Sequence, residues 1–206
     1  DSAWSIAQTP FEAEKIVKNF QQDSPTIIAG STWSTDTQLL KNAFHNIDIS
    51  YKIVIAPHNV DATIIAALQN EWSEYQPILW SQITRKEYYN TNSRVLIIDT
   101  IGILAYLYRY ASVVWIGGGF TKTGIHNSVE AAVYQKPLFW GPRYNRYQEA
   151  LDMIALDAAQ SIDQSLGLAT AIKDAIKLEY MAQQSYQYVA KQLGASKKII
   201  AYLLLK

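Results

Sequence analysis

Short apolar, β-branched runs recur along this chain, separated by longer stretches of helical periodicity, and this alternation constrains the fold more than any other feature. Neighbouring parallel strands need crossovers of about a dozen or more residues, which helices supply. The pattern therefore predicts an α/β protein, Rossmann-like, with three α/β/α layers around a mostly parallel sheet. Strands are read at 26–29, 51–56, 78–80, 95–98, 113–116 and 138–140, and helices between them at 36–44, 62–74, 101–110 and 127–134. Another helix is expected between Pro10 and Gln22, with further helical stretches at 166–176 and 179–193 and an apolar segment at 197–205. At 206 residues the chain suits one domain, 1–206, with 1–25 and 166–206 as peripheral helices.

Most of these strands end in a polar or glycine-bearing turn: Gly30-Ser31-Thr32, Pro57-His58-Asn59, Asp99-Thr100, Gly117-Gly118-Gly119 and Gly141-Pro142-Arg143. In open α/β sheets the ligand crevice lies outside the carboxyl ends of the strands, so these turns are expected to gather at one rim.

Charge narrows the class of ligand. Eighteen basic and eighteen acidic residues cancel, which argues against a general nucleic-acid binder. Residues 85–146, however, carry eight basic and three acidic side chains, a local balance of +5. Beside glycine-rich sequence this suggests a small anionic ligand, and solvated surface charge explains it equally well. No apolar run approaches the roughly 20 residues of a spanning helix, and no basic-then-apolar leader is seen. The absence of cysteine removes disulfides and thiol chemistry and fits a reducing compartment. A chain that begins at Asp1 without methionine reads as a piece of a longer one.

The most informative segment runs from Gly117 to Glu130, GGGFTKTGIHNSVE. A strand enters three glycines, a loop carrying Lys122, and a helix opening with Asn127 and Glu130. Glycines admit a ligand close to the backbone, and a helix start offers unpaired N–H groups to an anion. A P-loop would require Lys and then Ser or Thr after Gly124, where Ile125 and His126 stand, and a dinucleotide fingerprint would require glycine at Lys122. Asn127-x-x-Glu130 reads either as a capping box or as a helix start whose carboxylate accepts two ribose hydroxyls. Gly30-Ser31-Thr32 is a second anion-binding turn or a helix entry. His58 is a phosphate or carboxylate donor, or a lone surface imidazole. Asp99-Thr100-Ile101-Gly102 is an N-cap or a backbone edge that reads a base. No close metal-ligand spacing joins His45, His58 and His126, and no Gly-x-Ser-x-Gly nucleophile motif occurs.

In order, GSTW at 30–33, the Pro57-His58 turn, DTIG at 99–102, GGGF at 117–120, HNSVEAA at 126–132, KP at 136–137 and GP at 141–142 resemble one family. It is the 3-deoxy-D-manno-octulosonic acid (Kdo) transferases, in their carboxyl-terminal, CMP-Kdo-binding domain, over residues 30–150. The resemblance implies the GT-B architecture and inverting, metal-independent transfer of Kdo from CMP-Kdo to a lipid A precursor in lipopolysaccharide biosynthesis. It implies no cofactor beyond the donor substrate. It places the full-length parent in the cytoplasm at the inner face of the bacterial inner membrane, with a membrane surface as a further partner and no nucleic acid.

By the same resemblance the nucleotide sugar meets Ser31, Thr32, Pro57, His58, Ile101, Gly102, Ile103, Gly118, Gly119, Lys122, Gly124, Asn127 and Glu130. The glycine loop and the following helix hold the phosphate, with Asn127 beside it; Glu130 takes the ribose, and the 101–103 turn lies along the cytosine. The general base and acceptor surface belong to an amino-terminal domain absent from this chain, so no catalytic residue is expected here and the piece alone should bind without turnover. Two departures stand out. Ile103 replaces a frequent glutamate, leaving backbone recognition only, and Ile125 replaces a glycine of the usual Gly-Gly-His-Asn. A GT-B domain for a UDP- or GDP-sugar and a non-catalytic α/β binding module are the alternatives.

Overall fold

The computed structural model describes residues 1–85 and 92–204. The chain opens with α1 (Ser2–Gln8) and α2 (Glu14–Gln21), then runs β1 (Thr26–Thr32), α3 (Ser34–Phe44), β2 (Lys52–Pro57) and α4 (Ala62–Glu71). It continues through β3 (Ile78–Leu79), α5 (Trp80–Thr84), β4 (Val95–Ile97), α6 (Leu104–Leu107), β5 (Val113–Ile116) and α7 (Val129–Ala132). The last part is β6 (Leu138–Trp140), α8 (Gln148–Ala155), β7 (Ala159–Ser161), α9 (Ser165–Ala171), α10 (Ala175–Lys191) and α11 (Ala195–Leu204). No helix among the described residues is long and apolar enough to cross a membrane.

The seven strands form one sheet in the order β3-β4-β2-β1-β5-β6-β7, and every pairing is parallel. Without the two-residue edge strand β3, this is the doubly wound order in which the chain builds one half outward from β1 and then returns to build the other from β5. Because all strands point the same way, the turns after β1, β2, β4, β5 and β6 share one rim, as the sequence predicts.

Both faces of the sheet are covered, so the central strands are buried at every position rather than alternating, and all but Lys52 of these positions are apolar. Ile28, Val54, Leu96, Val114 and Leu138 face one layer, with Val17, Leu107, Ala132, Met153 and Val189. Ile27, Ile53, Val95, Val113 and Phe139 face the other, with Leu40, Phe44, Leu68 and Leu168. Each fully buried Ile or Leu contributes roughly 1.5–3 kcal/mol.

The terminal flanks are less peripheral than the sequence suggests. The α2 residues Val17 and Phe20 belong to the first layer, and Leu168 and Met181 of α9 and α10 belong to the second. Among the described residues of these flanks, α11 is the helix that buries none. The helix expected at 127–134 is a single turn, because the Asn127 side chain takes the Val129 N–H and Gln135 turns to φ +55°. The helix expected at 101–110 begins only at Leu104, after Gly102 has passed through φ +88°, and continues into a 3-10 turn at Tyr108–Tyr110.

Candidate functional site

The strand order reverses between β1 and β5, so the carboxyl ends of these two strands flank the crevice where a doubly wound sheet receives its ligand. There β1 runs on past Ala29: Gly30 still pairs with Ile116, and a bulge at Ser31 shifts the register against β2. Ser31 sits at φ +53°, a strained conformation for a side-chain-bearing residue, and its carbonyl lies against Gly117, where a β-carbon would come within 2.3 Å.

The glycine loop is fixed by its own backbone. His126 N–H donates to the Gly117 carbonyl at 3.1 Å, closing the loop on itself. Gly119 packs directly on Gly141: a β-carbon on Gly119 would lie 2.5 Å from the Gly141 nitrogen. A buried carboxylate completes the frame. Asp36, in the first turn of α3, accepts from the Trp33 and Gly118 N–H groups, both at 2.9 Å, and from the Trp115 indole at 3.1 Å. Burial pushes its pKa up, and these three donors oppose the shift by stabilising the charged form. Gly118 N–H is thus engaged by the protein, whereas the N–H groups of Gly119 and Asn127 donate to no acceptor among the described residues.

Three rings span the rim. Trp33 stacks on His58 with centroids 4.6 Å apart, His58 lies 4.5 Å from His126, and the Trp33 indole donates to His126 Nε2 at 3.4 Å. Burial and then the neighbouring His58 push the His126 pKa down. Thr32, Pro57 and His58 also line a cavity of about 270 Å³ between α3 and α4. Glu71 borders that cavity, with one carboxylate oxygen accepting from Thr37 at 2.9 Å and the other buried without a partner.

Asn127 and Glu130 are joined directly. The Asn127 amide nitrogen donates to Glu130 Oε1 at 3.0 Å, while its oxygen accepts from Val129 N–H at 3.0 Å. The reciprocal capping box is not formed: Ser128 is the N-cap, and Glu130 reaches the Asn127 side chain rather than a backbone amide. Glu130 is half-buried, and burial raises its pKa. Its charge acts on Tyr108, whose fully buried ring fills the space left by Gly30; a β-carbon there would come within 1.9 Å of the hydroxyl. Leu104 also approaches Gly30, so α6 carries the Ile101-Gly102-Ile103 turn toward β1 although β4 is two strands away. Ile101 is 79% exposed and Ile103 half-buried.

The structure therefore brings Ser31, Thr32, Pro57, His58, Gly118, Gly119, Gly124, Asn127 and Glu130 to one rim, with Ile101, Gly102 and Ile103 approaching along α6. Lys122 stands on the outer side of the loop, toward the segment after β6. The sequence reading missed Asp36, Trp33, His126 and Tyr108 as members of this assembly. Trp33-x-x-Asp36 has the spacing of a first-turn carboxylate that takes the amide three residues back, a local signal for one of the three bonds. The other two span about 80 residues and have no local signature.

No family model matches the chain. Curated relatives do: the 3-deoxy-D-manno-octulosonic acid transferase of Haemophilus influenzae is 21% identical over 195 residues, which are 89% of this chain and 44% of the relative. The transferase of the same name from Chlamydia trachomatis is 31% identical over 120 residues, 56% of this chain and 26% of the relative. The chain spans less than half the length of these relatives. Among solved structures, the C-terminal CMP-Kdo binding domain of WaaA from Acinetobacter baumannii matches with a TM-score of 0.69 at 18% identity, covering 85% of this chain and 98% of that one. Anabaena Alr3699/HepE in complex with UDP-glucose matches with a TM-score of 0.62 at 15% identity, covering 98% of this chain and 54% of that one. The resemblance to Kdo transferases is borne out, and the fold is the carboxyl-terminal half of the GT-B architecture.

Proposed function

We propose that this chain is the donor-binding domain of a glycosyltransferase that moves Kdo from CMP-Kdo to a lipid A precursor in lipopolysaccharide biosynthesis. The observation that carries the reading is the Asn127–Glu130 pair, held beside the glycine loop at the crevice between β1 and β5. A carboxylate offers only acceptors and suits the two hydroxyls of a ribose. The N–H groups of Gly119 and Asn127 are donors for the nucleotide phosphate, and the Ile101–Ile103 turn lies along the cytosine. Ser31, Thr32, Pro57 and His58 are further contacts for the nucleotide sugar.

In this reading the domain's work is positioning and charge stabilisation. Held by fixed backbone donors, the departing CMP phosphate develops its charge against groups that need no reorganisation. The transfer inverts configuration and uses neither a metal nor a cofactor. An amino-terminal domain supplies the general base and the surface that holds the lipid A precursor, so the chain alone binds CMP without transferring Kdo. The full-length protein works in the cytoplasm at the inner face of the inner membrane, without nucleic acid.

Glu130→Gln tests the assignment. The substitution keeps an oxygen for Asn127 but removes the charged acceptor, a class of hydrogen bond worth roughly 1.5–3 kcal/mol. Calorimetry should show CMP affinity falling about tenfold or more, with the melting temperature of the unliganded chain nearly unchanged. Unchanged affinity would reduce Glu130 to a structural partner of Asn127.

A further inference from the structure

On the outer side of the glycine loop, Lys122, Gly124, Arg143, Asn145 and Arg146 line an open hollow of about 390 Å³. We propose that it is a second anion subsite, distinct from the place of the nucleotide phosphate, which receives a carboxylate or phosphate group carried by a substrate.

Three cations open onto this hollow, and none forms an ion pair among the described residues. Glu149, the nearest acid in sequence after Arg146, pairs with neither arginine. Like charges gathered without counter-charges repel one another, and an anion relieves that repulsion.

The scaffold beneath them is fixed rather than loose. Arg143 N–H donates to the Gly119 carbonyl at 2.8 Å, its carbonyl accepts from Ile125 N–H at 3.2 Å, and the Tyr147 hydroxyl donates to the Thr123 carbonyl at 3.0 Å. Gly124, at φ +86°, has no room for a β-carbon because the Arg143 carbonyl would lie 2.8 Å from it. Two loops are thereby stitched together with their cations outward. An arginine fork matches a carboxylate or phosphate with paired N–H donors, and the Asn145 amide supplies a further donor.

The proposal deepens the donor-domain reading by naming where a second anionic group of a substrate is held, and its test stands apart from that reading. Inorganic phosphate is titrated into the whole chain at constant ionic strength and followed by backbone amide shifts. Shifts should centre on residues 122–124 and 143–146 and persist under saturating CMP. The double variant Arg143→Gln/Arg146→Gln should weaken phosphate binding about tenfold while CMP affinity stays within about twofold. Competition then separates the sources: displacement by a free 2-keto sugar acid assigns the site to the donor sugar, and displacement by a sugar phosphate assigns it to the acceptor. Shifts centred on Gly119, Asn127 and Glu130, loss of phosphate on adding CMP, undiminished binding in the double variant, or displacement by neither competitor would each overturn the proposal. A chain that binds phosphate here but no CMP would refute the donor-domain reading and leave this one standing.

Discussion

Asp36 ties the entry to α3, the interior of β5 and the glycine loop together through a single carboxylate. Asn offers one acceptor oxygen in place of two, so Asp36→Asn leaves at least one buried donor unpaired, a loss of about 1–3 kcal/mol. Chemical denaturation should show that loss, and CMP binding should weaken as the loop loses its anchor; a variant of unchanged stability would mean that the three bonds are incidental. His126 makes a prediction of the opposite charge type. Its pKa is lowered below 6.5 in the fold, so the unfolded chain binds more protons as pH falls from 6.5 toward the folded value. That contribution is complete above 6.5 and lost on acidification through this window. Asp36 and Glu130, raised by burial, act in the contrary sense: their folded forms hold protons more tightly, and their contribution is lost as pH rises through the raised values. The comparison is therefore between wild type and His126→Gln, the variant losing less stability between about pH 7 and about pH 5.5. Parallel pH profiles would contradict it.

At the scale of elements, the inner strands are legible because burial on both faces writes itself as runs such as Ile53-Val54-Ile55 and Val95-Leu96-Ile97. The strand β7 is not, since Ala-Gln-Ser at a sheet edge has no β-branched run and is held by its pairing to β6. Helix α8 has no expectation in the sequence, and α6 and α7 are shorter than periodicity predicts because the local bond from Val129 N–H to the Asn127 side chain and the turn at Gly102 outweigh it. The glycines, by contrast, were legible as a loop while their reasons differ. Gly119 faces the Gly141 backbone, which cannot swing aside, so Gly119→Ala should cost about 1–3 kcal/mol and disturb nucleotide binding. A β-carbon on Gly102 would meet nothing within 4 Å, and only the φ of +88° resists a side chain there. Gly102→Ala should cost about 1 kcal/mol, and thermal melts of the two variants give the order. A larger loss at Gly102 would contradict the loop geometry.

Across the whole molecule, the shared rim followed from the sequence because parallel strands leave their turns no other edge. Nine of the predicted contact residues converge there, yet the Trp33–His58–His126 row and the Asp36 anchor required the fold, since each joins residues from different turns. What unites these parts is a crevice at the point of strand reversal, where a doubly wound sheet receives its ligand. The ligand proposed for it is cytidine monophosphate, and calorimetric titration of the chain with CMP, UMP and GMP tests that assignment most directly. CMP should bind about tenfold or more tightly than either rival. A preference for UMP or GMP would move the chain to a UDP- or GDP-sugar transferase, and no binding to any of the three by the folded chain would leave an α/β binding module in which the glycines serve only their turns.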